Sequence, residues 1–227
     1  KSVYTFDSPV IILTLLPLIS AMIYIKSVHN PLREFRNKQI LVYIFKPLTM
    51  IFIILLAVTE SNALNVSYRI TIIAALVFSL MGDIFLMLPK NRFIHGLLSF
   101  LIAHLFFIYA FSSNLGTPFH FWSFIPVILF FLTMVRILWS HLGKMKILVI
   151  IYALIISTML LSSIELWLQQ KEAWSSFVIA GGLLFCCSDS LLGYNRFAKP
   201  LKNAQFFILT TYYAAQWCFA MSVRHFA

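Results

Sequence analysis

The chain has 227 residues, of which 61% are hydrophobic and 11% charged, and its mean hydropathy is +0.93. This composition excludes a water-soluble globular domain and is typical of a protein that crosses a membrane several times. The formal net charge of +10 would suit a nucleic-acid-binding protein, but the positive residues are divided among separate connections rather than collected in one patch. We therefore expect no nucleic-acid partner.

Apolar runs long enough to cross the hydrocarbon as helices follow one another along the chain, separated by short polar connections. They fall near residues 8–25, 41–59, 67–88, 94–114, 119–139, 146–168, 174–194 and 205–223. A β-barrel would need period-2 alternation, which these runs lack. The first run is followed, not preceded, by basic residues, so we expect a retained span rather than a signal peptide. The sequence predicts an all-α integral membrane protein of about eight transmembrane helices in a single polytopic domain, 1–227.

Basic residues alternate between the connections, which predicts the orientation of the chain. The connections after the second, fourth and sixth runs carry little beyond Lys171, and we expect Glu60 and Glu165 to be solvated there. By the positive-inside rule the other connections are cytoplasmic, which puts both termini on the opposite side. Those connections contain Lys26, Arg33, Arg36, Lys38, Lys90, Arg92, Lys144, Lys146, Arg196, Lys199 and Lys202.

Two aspartates lie near the ends of the third and seventh runs, and both runs head toward the cytoplasmic side. At 1.5 Å rise per residue, Asp83 and Asp189 each lie roughly 9 Å inside the end of their span, at matching depth. A carboxylate inside a span is costly enough to indicate function. Gly82 and Gly182 would let the helices approach closely. We expect a carboxylate pair across a helix interface.

Other polar side chains fall in the same leaflet when each run is followed in its own direction. Lys46 begins the second run, His104 lies near the middle of the fourth, and Tyr212, Tyr213 and Gln216 occupy the first half of the eighth. Together with the two acids they predict a polar cavity that opens toward the cytoplasm.

Structural alternatives remain open for these residues. His104 could brace two helices by a hydrogen bond, and Lys46 could extend toward the headgroups. The two tyrosines, Tyr212 and Tyr213, would also suit an interfacial aromatic belt. Either aspartate could belong to a buried ion pair with Lys46 or Arg196.

Metal and serine-nucleophile chemistry both find little support in the sequence. A catalytic zinc wants three protein ligands, and no His-x-x-x-His or Cys-x-x-Cys element accompanies His104. Ser188 adjoins Asp189, but neighbouring helix positions point about 100° apart, so this Asp does not orient a base for it. We expect no metal and no other cofactor, because carboxylate acid/base chemistry is the simpler interpretation.

The order of these motifs resembles the YhhN-like lysoplasmalogenases, a family of small multi-helix membrane enzymes. The resemblance covers about positions 46 to 216 and leaves the first run and the long first connection unmatched. It is carried by Lys46-Pro47, Phe78-Ser79-Leu80-Met81-Gly82-Asp83, Phe93…Gly96…Phe100…His104…Tyr109, Gly182…Phe185…Ser188-Asp189…Asn195-Arg196-Phe197 and Tyr212-Tyr213-Ala214-Ala215-Gln216.

The resemblance implies hydrolysis of the vinyl ether bond of a lysoplasmalogen to a fatty aldehyde and glycerophosphoethanolamine or glycerophosphocholine. A vinyl ether hydrolyses by protonation of its β-carbon, and water then captures the oxocarbenium ion. One aspartate, Asp83 or Asp189, must therefore be protonated and the other ionised, as in glycosidases with a similar transition state. The sequence does not say which is the acid.

In this hypothesis Asp83 and Asp189 are the catalytic pair, and Lys46 contacts the headgroup phosphate. His104, Tyr213 and Gln216 position the substrate or bind water. The full set of candidates for substrate binding or positioning is Lys46, His104, Ser188, Asn195, Tyr212, Tyr213 and Gln216. The expected substrate is a lysophospholipid with one alkenyl chain, held in the apolar interior among membrane lipids.

Two other functional classes would also use intramembrane acids. A proton-coupled transporter or lipid flippase would use them as a proton relay. A metal-dependent lipid amidase of the alkaline ceramidase type is the second alternative. The compact chain favours a bacterial inner membrane over the endoplasmic reticulum membrane, with the active site toward the cytoplasmic leaflet.

Overall fold

The computed structural model describes residues 14–16, 19, 20, 22, 35–59, 65–88 and 92–224, except for the side chains of 35–39, 41 and 42. All regular structure in these ranges is helical. The seven helices that it bounds are α1 (Phe35–Val58), α2 (Val66–Met87), α3 (Phe93–Ser112), α4 (Phe124–Leu138), α5 (Lys146–Gln170), α6 (Ala173–Gly193) and α7 (Ala204–Ser222). Short 3₁₀ turns flank α4, and a π-helical turn, Tyr194–Ala198, continues α6.

The helix positions agree with the predicted runs to within a few residues, with one exception. Helix α1 begins at Phe35 rather than near residue 41, so Lys46 and Pro47 lie in the helix interior. An apolar run identifies the part of a helix that lies in the hydrocarbon. It does not detect a polar first turn outside the hydrocarbon. Most of the predicted run 8–25 lies outside the described residues, of which 14–16, 19, 20 and 22 are helical.

Five helical segments in the described part of the chain are long and apolar enough to cross a membrane. They are Val66–Met87, Phe93–Ser112, Phe121–His141, Gly143–Gln170 and Ala173–Ala198. Helix α7 does not join them, because its Thr, Tyr and Gln residues lower its hydropathy. The total of eight spans and the placement of both termini stay predictions.

Close helix packing depends on glycines at the points of contact. A Cβ atom on Gly82 of α2 would lie 2.7 Å from the ring of Phe100 on α3, and one on Gly181 of α6 would lie 2.6 Å from the ring of Phe219 on α7. Gly182 faces Ser163 of α5 in the same way. The expectation that Gly82 and Gly182 allow close approach is therefore confirmed.

The connections divide the bundle into two ends. The basic end, as we call it, consists of the C-terminal end of α2, the N-terminal end of α3 and the connections 139–145 and 194–203, and the far end consists of 113–123 and 171–172. At the far end Glu165 is fully buried and accepts hydrogen bonds from the backbone N–H and the ring of His120, both at 3.0 Å. The expectation that Glu165 is solvated was wrong, because the 113–123 connection folds over it.

The outer surface of the bundle is apolar. Helix α4 packs on α5 and on the π-helical turn at the edge of the bundle. Its exposed side chains include Ile125, Ile128, Leu129 and Leu132. Extensive exposed apolar surface of this kind is unfavourable in water and is what a bilayer covers.

Candidate functional site

Asp83 lies where three helices meet. Its Oδ1 atom is 3.0 Å from the Nζ atom of Lys46 on α1, and its Oδ2 atom accepts a hydrogen bond of 2.9 Å from the hydroxyl of Tyr212 on α7. Asp83 is 2% exposed and Lys46 6%. Lys46 therefore does not extend to the headgroups, and Tyr212 is a buried donor rather than an interfacial belt residue. The buried Asp–Lys ion pair that the sequence left open is present.

Asp189 occupies a second polar cluster, on α6. The hydroxyl of Tyr152 on α5 donates a hydrogen bond to its Oδ2 atom. Unlike Asp83, Asp189 is partly exposed, because its carboxyl lines a pocket. Sequence reasoning missed Tyr152, although a tyrosine well inside the apolar run 146–168 is a signal that its hydroxyl needs a partner.

His104 lies beside this second cluster and is fully buried. Its Nδ1 atom is 2.5 Å from the backbone carbonyl oxygen of Phe100. Because a carbonyl oxygen only accepts, Nδ1 carries the proton and Nε2 has an available lone pair. Among the described residues Nε2 has no hydrogen-bond partner. The imidazole packs edge to face against Tyr152 and Phe185, with ring centroids 5.4 and 4.7 Å apart.

The ring of Phe185 contacts both clusters. Its centroid lies 4.7 Å from that of the His104 ring and 5.6 Å from that of the Tyr212 ring. In the described chain the carboxyls of Asp83 and Asp189 each hydrogen-bond to a tyrosine and not to the other. The sequence led us to expect a direct pair, whereas the structure shows two neighbouring clusters.

The pocket beside Asp189 includes about 650 Å³ of empty space when its open mouth is counted. It extends from the basic end to the middle of the bundle. Neither Asp83 nor Lys46 belongs to its wall. The wall is formed by Leu86, Phe93, Leu97, Phe100, Phe130, Met134, Leu138, Val149, Tyr152, Ala153, Ile156, Cys186, Asp189, Ser190, Leu192, Gly193 and Phe197. Among the described residues of the wall, the Asp189 carboxyl is the one formally charged group, so the pocket suits an aliphatic chain.

The remaining candidates divide into two groups. Tyr213 and Gln216 are buried, and the side-chain amide of Gln216 has no hydrogen-bond partner among the described residues. Ser188 donates to the carbonyl oxygen of Ile208 at 2.9 Å. The Oδ1 atom of Asn195 accepts from the backbone N–H of Leu201 at 2.8 Å. In this structure Ser188 and Asn195 therefore fix the packing of α6 on α7 and the 194–203 connection.

Comparison with known proteins supports the resemblance seen in the motifs. The family model described as "YhhN family" matches residues 41–223, which is most of the chain. The chain belongs to the YhhN family. The resemblance inferred from the motifs is thereby confirmed, and with its apolar helices the chain is a multi-pass membrane protein.

This YhhN-family chain is similar in sequence to several named proteins. Lysoplasmalogenase TMEM86B of Sus scrofa is 35% identical over 157 residues, which cover 69% of this chain and 64% of the relative. Its Homo sapiens counterpart is 34% identical over 149 residues, 65% of this chain and 61% of the relative. The membrane protein YhhN of Escherichia coli O157:H7 is 29% identical over 154 residues, covering 66% and 72%. The chain thus spans less than two thirds of the mammalian relatives' length. No solved structure matches it.

Proposed function

We propose that this protein is a membrane hydrolase that cleaves the vinyl ether bond of lysoplasmalogens. The observation that carries the proposal is the Asp189 carboxyl, which faces a pocket whose described wall is otherwise mostly apolar. The names of the mammalian relatives support the same reaction. The products would be a fatty aldehyde and glycerophosphoethanolamine or glycerophosphocholine.

The surroundings of the two carboxyls suggest different protonation states. Asp83 has an ammonium group 3.0 Å from one oxygen and a hydroxyl donor at the other, which favours the carboxylate. Asp189 accepts one hydrogen bond, from Tyr152, and has an apolar pocket on its other side. We therefore assign Asp189 as the proton donor and Asp83 as the fixed negative charge.

The reaction then proceeds in three steps. Asp189 transfers its proton to the β-carbon of the vinyl ether, whose double-bond electrons form the new C–H bond and leave an oxocarbenium ion. Asp189, now a carboxylate, takes a proton from water as the water oxygen bonds to the α-carbon, which gives a hemiacetal. The C–O bond to glycerol then breaks, the hemiacetal hydroxyl loses its proton and the glycerol oxygen gains one. One water is consumed, and Asp189 returns to its protonated form.

Neighbouring polar side chains support these steps. Of these, Tyr152 lines the pocket, whereas Asp83, His104 and Gln216 do not. Tyr152 fixes the orientation of the Asp189 carboxyl. The Asp83 carboxylate stabilises the oxocarbenium ion through space, an interaction that is strong in a low dielectric. His104 and Gln216 bind water through atoms that lack partners in the described part of the chain.

We place the basic end at the cytoplasmic face, with both termini on the opposite side of eight spans, because positive connections stay in the cytoplasm. The pocket reaches that end, so the substrate would enter from the cytoplasmic leaflet. The compact connections favour a bacterial inner membrane over the endoplasmic reticulum membrane.

The decisive experiment is aldehyde release from lysoplasmenyl-ethanolamine and lysoplasmenyl-choline by purified protein in a maltoside detergent, with and without chelator. Asp189→Asn and Asp83→Asn are compared with wild type and with Ser188→Ala. Ser188 is the matched control because it adjoins Asp189 in the chain but bonds to Ile208. We expect chelator-resistant turnover by wild type and Ser188→Ala, and none by either aspartate variant.

Two results would contradict this proposal in different ways. Folded wild type that releases no aldehyde from either lipid would exclude the hydrolase and favour a proton-coupled transporter or flippase. Chelator-sensitive turnover would instead favour metal-dependent chemistry. Turnover that survives both aspartate substitutions would keep the hydrolase and reject the acid/base assignment.

A further inference from the structure

We infer that the alkenyl chain of the substrate leaves the pocket sideways past α4 and lies in the bilayer, an inference that rests on the proposed function. The pocket then holds the vinyl ether beside Asp189 and the first few carbons of the chain. The depth of the pocket, the packing at its inner end and the position of α4 at the edge of the bundle favour this path.

The pocket ends about one helical turn deeper in the bundle than Asp189. On α6 its wall reaches Cys186, three residues before Asp189, which is about 5 Å. On α5 it reaches Ile156, four residues beyond Tyr152, the partner of Asp189, which is about 6 Å. A lipid chain that crosses one leaflet is about 15 Å long, half of the hydrocarbon core of about 30 Å. Most of such a chain therefore does not fit between Asp189 and the inner end of the pocket.

Aromatic packing closes this inner end. Phe100 of α3 lines the pocket and packs edge to face on Phe185 of α6, with ring centroids 6.5 Å apart. The rings of Phe185 and of Phe219 on α7 both pack against Phe107, and all three side chains are fully buried. A chain that continued inward would have to displace these close-packed rings. The chain therefore turns aside before it reaches them.

Reversing the lipid does not remove the mismatch in length, because the headgroup would then lie at the inner end. Its phosphate would be buried among apolar side chains there, and burying an unpaired charge is strongly unfavourable. The headgroup therefore faces the basic end, where Lys199 and Lys202 are exposed.

Helix α4 is the side of the pocket that borders the surface of the bundle. Its residues Phe130 and Met134 line the pocket and are partly exposed. The other walls are backed by further helices, since α3 packs on α2 and α6 packs on α7. In the described chain α4 packs instead on α5 and on the π-helical turn, and its exposed side chains include Leu129 and Leu132. A chain that passes beside α4 thus reaches the bilayer without crossing another helix.

This path predicts that turnover depends little on chain length. The hydrocarbon of the bilayer is as apolar as the pocket, so carbons that stay in it neither favour nor oppose binding. We expect kcat/KM for lysoplasmenyl-ethanolamines with chains of about 8 to about 18 carbons to agree within about threefold, at equal mole fraction in mixed micelles. A sharp loss beyond about 10 carbons, which extend about 12 Å, would show an enclosed chain and overturn the inference.

A substitution on α4 tests where the chain passes. Phe130→Trp is compared with Leu132→Trp, which adds the same ring on the same helix at a side chain that is exposed and does not line the pocket. The substrates carry chains of about 4 carbons, which end inside the pocket, and of about 16 carbons, which cross a leaflet. We expect Phe130→Trp to lower kcat/KM about tenfold on the long chain, because the added ring narrows the path, and to leave the short chain near wild type. Leu132→Trp should change neither.

Two results with these variants would overturn the inference. Equal losses of Phe130→Trp on both chains would show that the ring distorts the pocket rather than narrowing an exit. Unchanged kinetics on both chains would show that the long chain does not pass Phe130.

A photolabelling measurement separates this inference from the proposed reaction. The probes are two 1-O-alkyl-lysophospholipids, which have no vinyl ether to cleave, with a diazirine either beside the ether or at the end of the chain. In wild type in bilayer nanodiscs, we expect the first probe to label wall residues such as Cys186. The second should label the outer face of α4 around Leu129, and an excess of unlabelled 1-O-alkyl-lysophospholipid should remove both labels.

The outcomes of labelling and hydrolysis are distinguishable. If wild type hydrolyses nothing but shows both competed labels at these positions, the reaction fails and the path of the chain stands. If wild type hydrolyses the substrate while the end of the chain labels the pocket wall around Ile156, the path fails and the reaction stands. If it neither hydrolyses nor shows a competed label, both fail.

Discussion

Asp83 on α2 and Asp189 on α6 have different surroundings. Asp83 has a hydrogen-bonding or ionic partner at each oxygen and no access to the pocket, whereas Asp189 has one tyrosine partner and faces open space. A carboxyl with a partner at each oxygen is fixed in position, whereas one that faces a pocket can exchange a proton with a bound molecule. This difference supports the proposed roles of Asp83 as the fixed charge and Asp189 as the proton donor.

The largest expected effect is the loss of activity when Asp189 is replaced. Replacing Asp189 with Asn removes the proton donor while keeping the shape, so kcat should fall about 10²- to 10⁴-fold. Aldehyde release under saturating substrate measures this change. The melting temperature in detergent should move little, because Tyr152 can still donate to the amide oxygen. If Asp189→Asn instead lost much of its stability, and its activity fell only in proportion to the amount of folded protein, the two acids would not differ as proposed.

Substitutions of Asp83 should lower stability as well as activity. Asp83→Asn leaves Lys46 buried without its counter-charge, which costs about 3–5 kcal/mol of unfolding free energy. Lys46→Met should cost a similar amount, and the double variant Lys46→Met/Asp83→Asn should recover most of it. Thermal unfolding of wild type and these three variants in one detergent forms the double-mutant cycle.

The same cycle sharpens the catalytic assignment. The double variant should remain inactive although it is folded, since the fixed negative charge near the pocket is gone. Full activity in that variant would show that the Lys46–Asp83 pair is only structural, and Asp189 would then act alone.

The contact between α2 and α3 at Gly82 should tolerate little added volume. Gly82→Ala places a methyl group 2.7 Å from the Phe100 ring, and overpacking of this kind costs about 1–3 kcal/mol. Gly116→Ala is the matched control, since a Cβ there meets nothing within 4 Å. Melting temperatures should separate the two variants. An equal response at both glycines would mean that α2 can move away from α3 at no cost.

The smallest effect should come from the hydroxyl of Tyr152. Tyr152→Phe keeps the ring beside His104 but removes the donor to Asp189, worth about 1 kcal/mol, so kcat should fall about fivefold. Tyr109→Phe is the control, because Tyr109 is 60% exposed. If kcat is unchanged while KM rises, Tyr152 contacts the lipid chain rather than orienting the acid.

Much of the helical framework could be predicted from local pattern. The apolar runs gave helix positions to within a few residues for α2 to α7, because a helix that crosses hydrocarbon must satisfy its backbone internally and be apolar along its length. The same rule did not predict the early start of α1 at Phe35, since a polar turn outside the hydrocarbon carries no such requirement. It also did not predict the π-helical turn at 194–198.

The site was partly predictable for a different reason. A charged or strongly polar residue in an apolar run is conspicuous, which is how Asp83, Asp189, Lys46, His104 and Gln216 could be selected. Glu165 was misjudged because its burial depends on the 113–123 connection, which lies elsewhere in the sequence.

The sequence by itself determined that this chain is a multi-helix membrane protein of the YhhN family, and which acids lie within its spans. The tertiary structure decided how those acids differ. It paired Lys46 with Asp83, gave Tyr152 to Asp189 and opened the pocket beside Asp189 alone. Each of these contacts joins residues on different helices, and the rotation and crossing of packed helices are set by side-chain contacts that no single run contains.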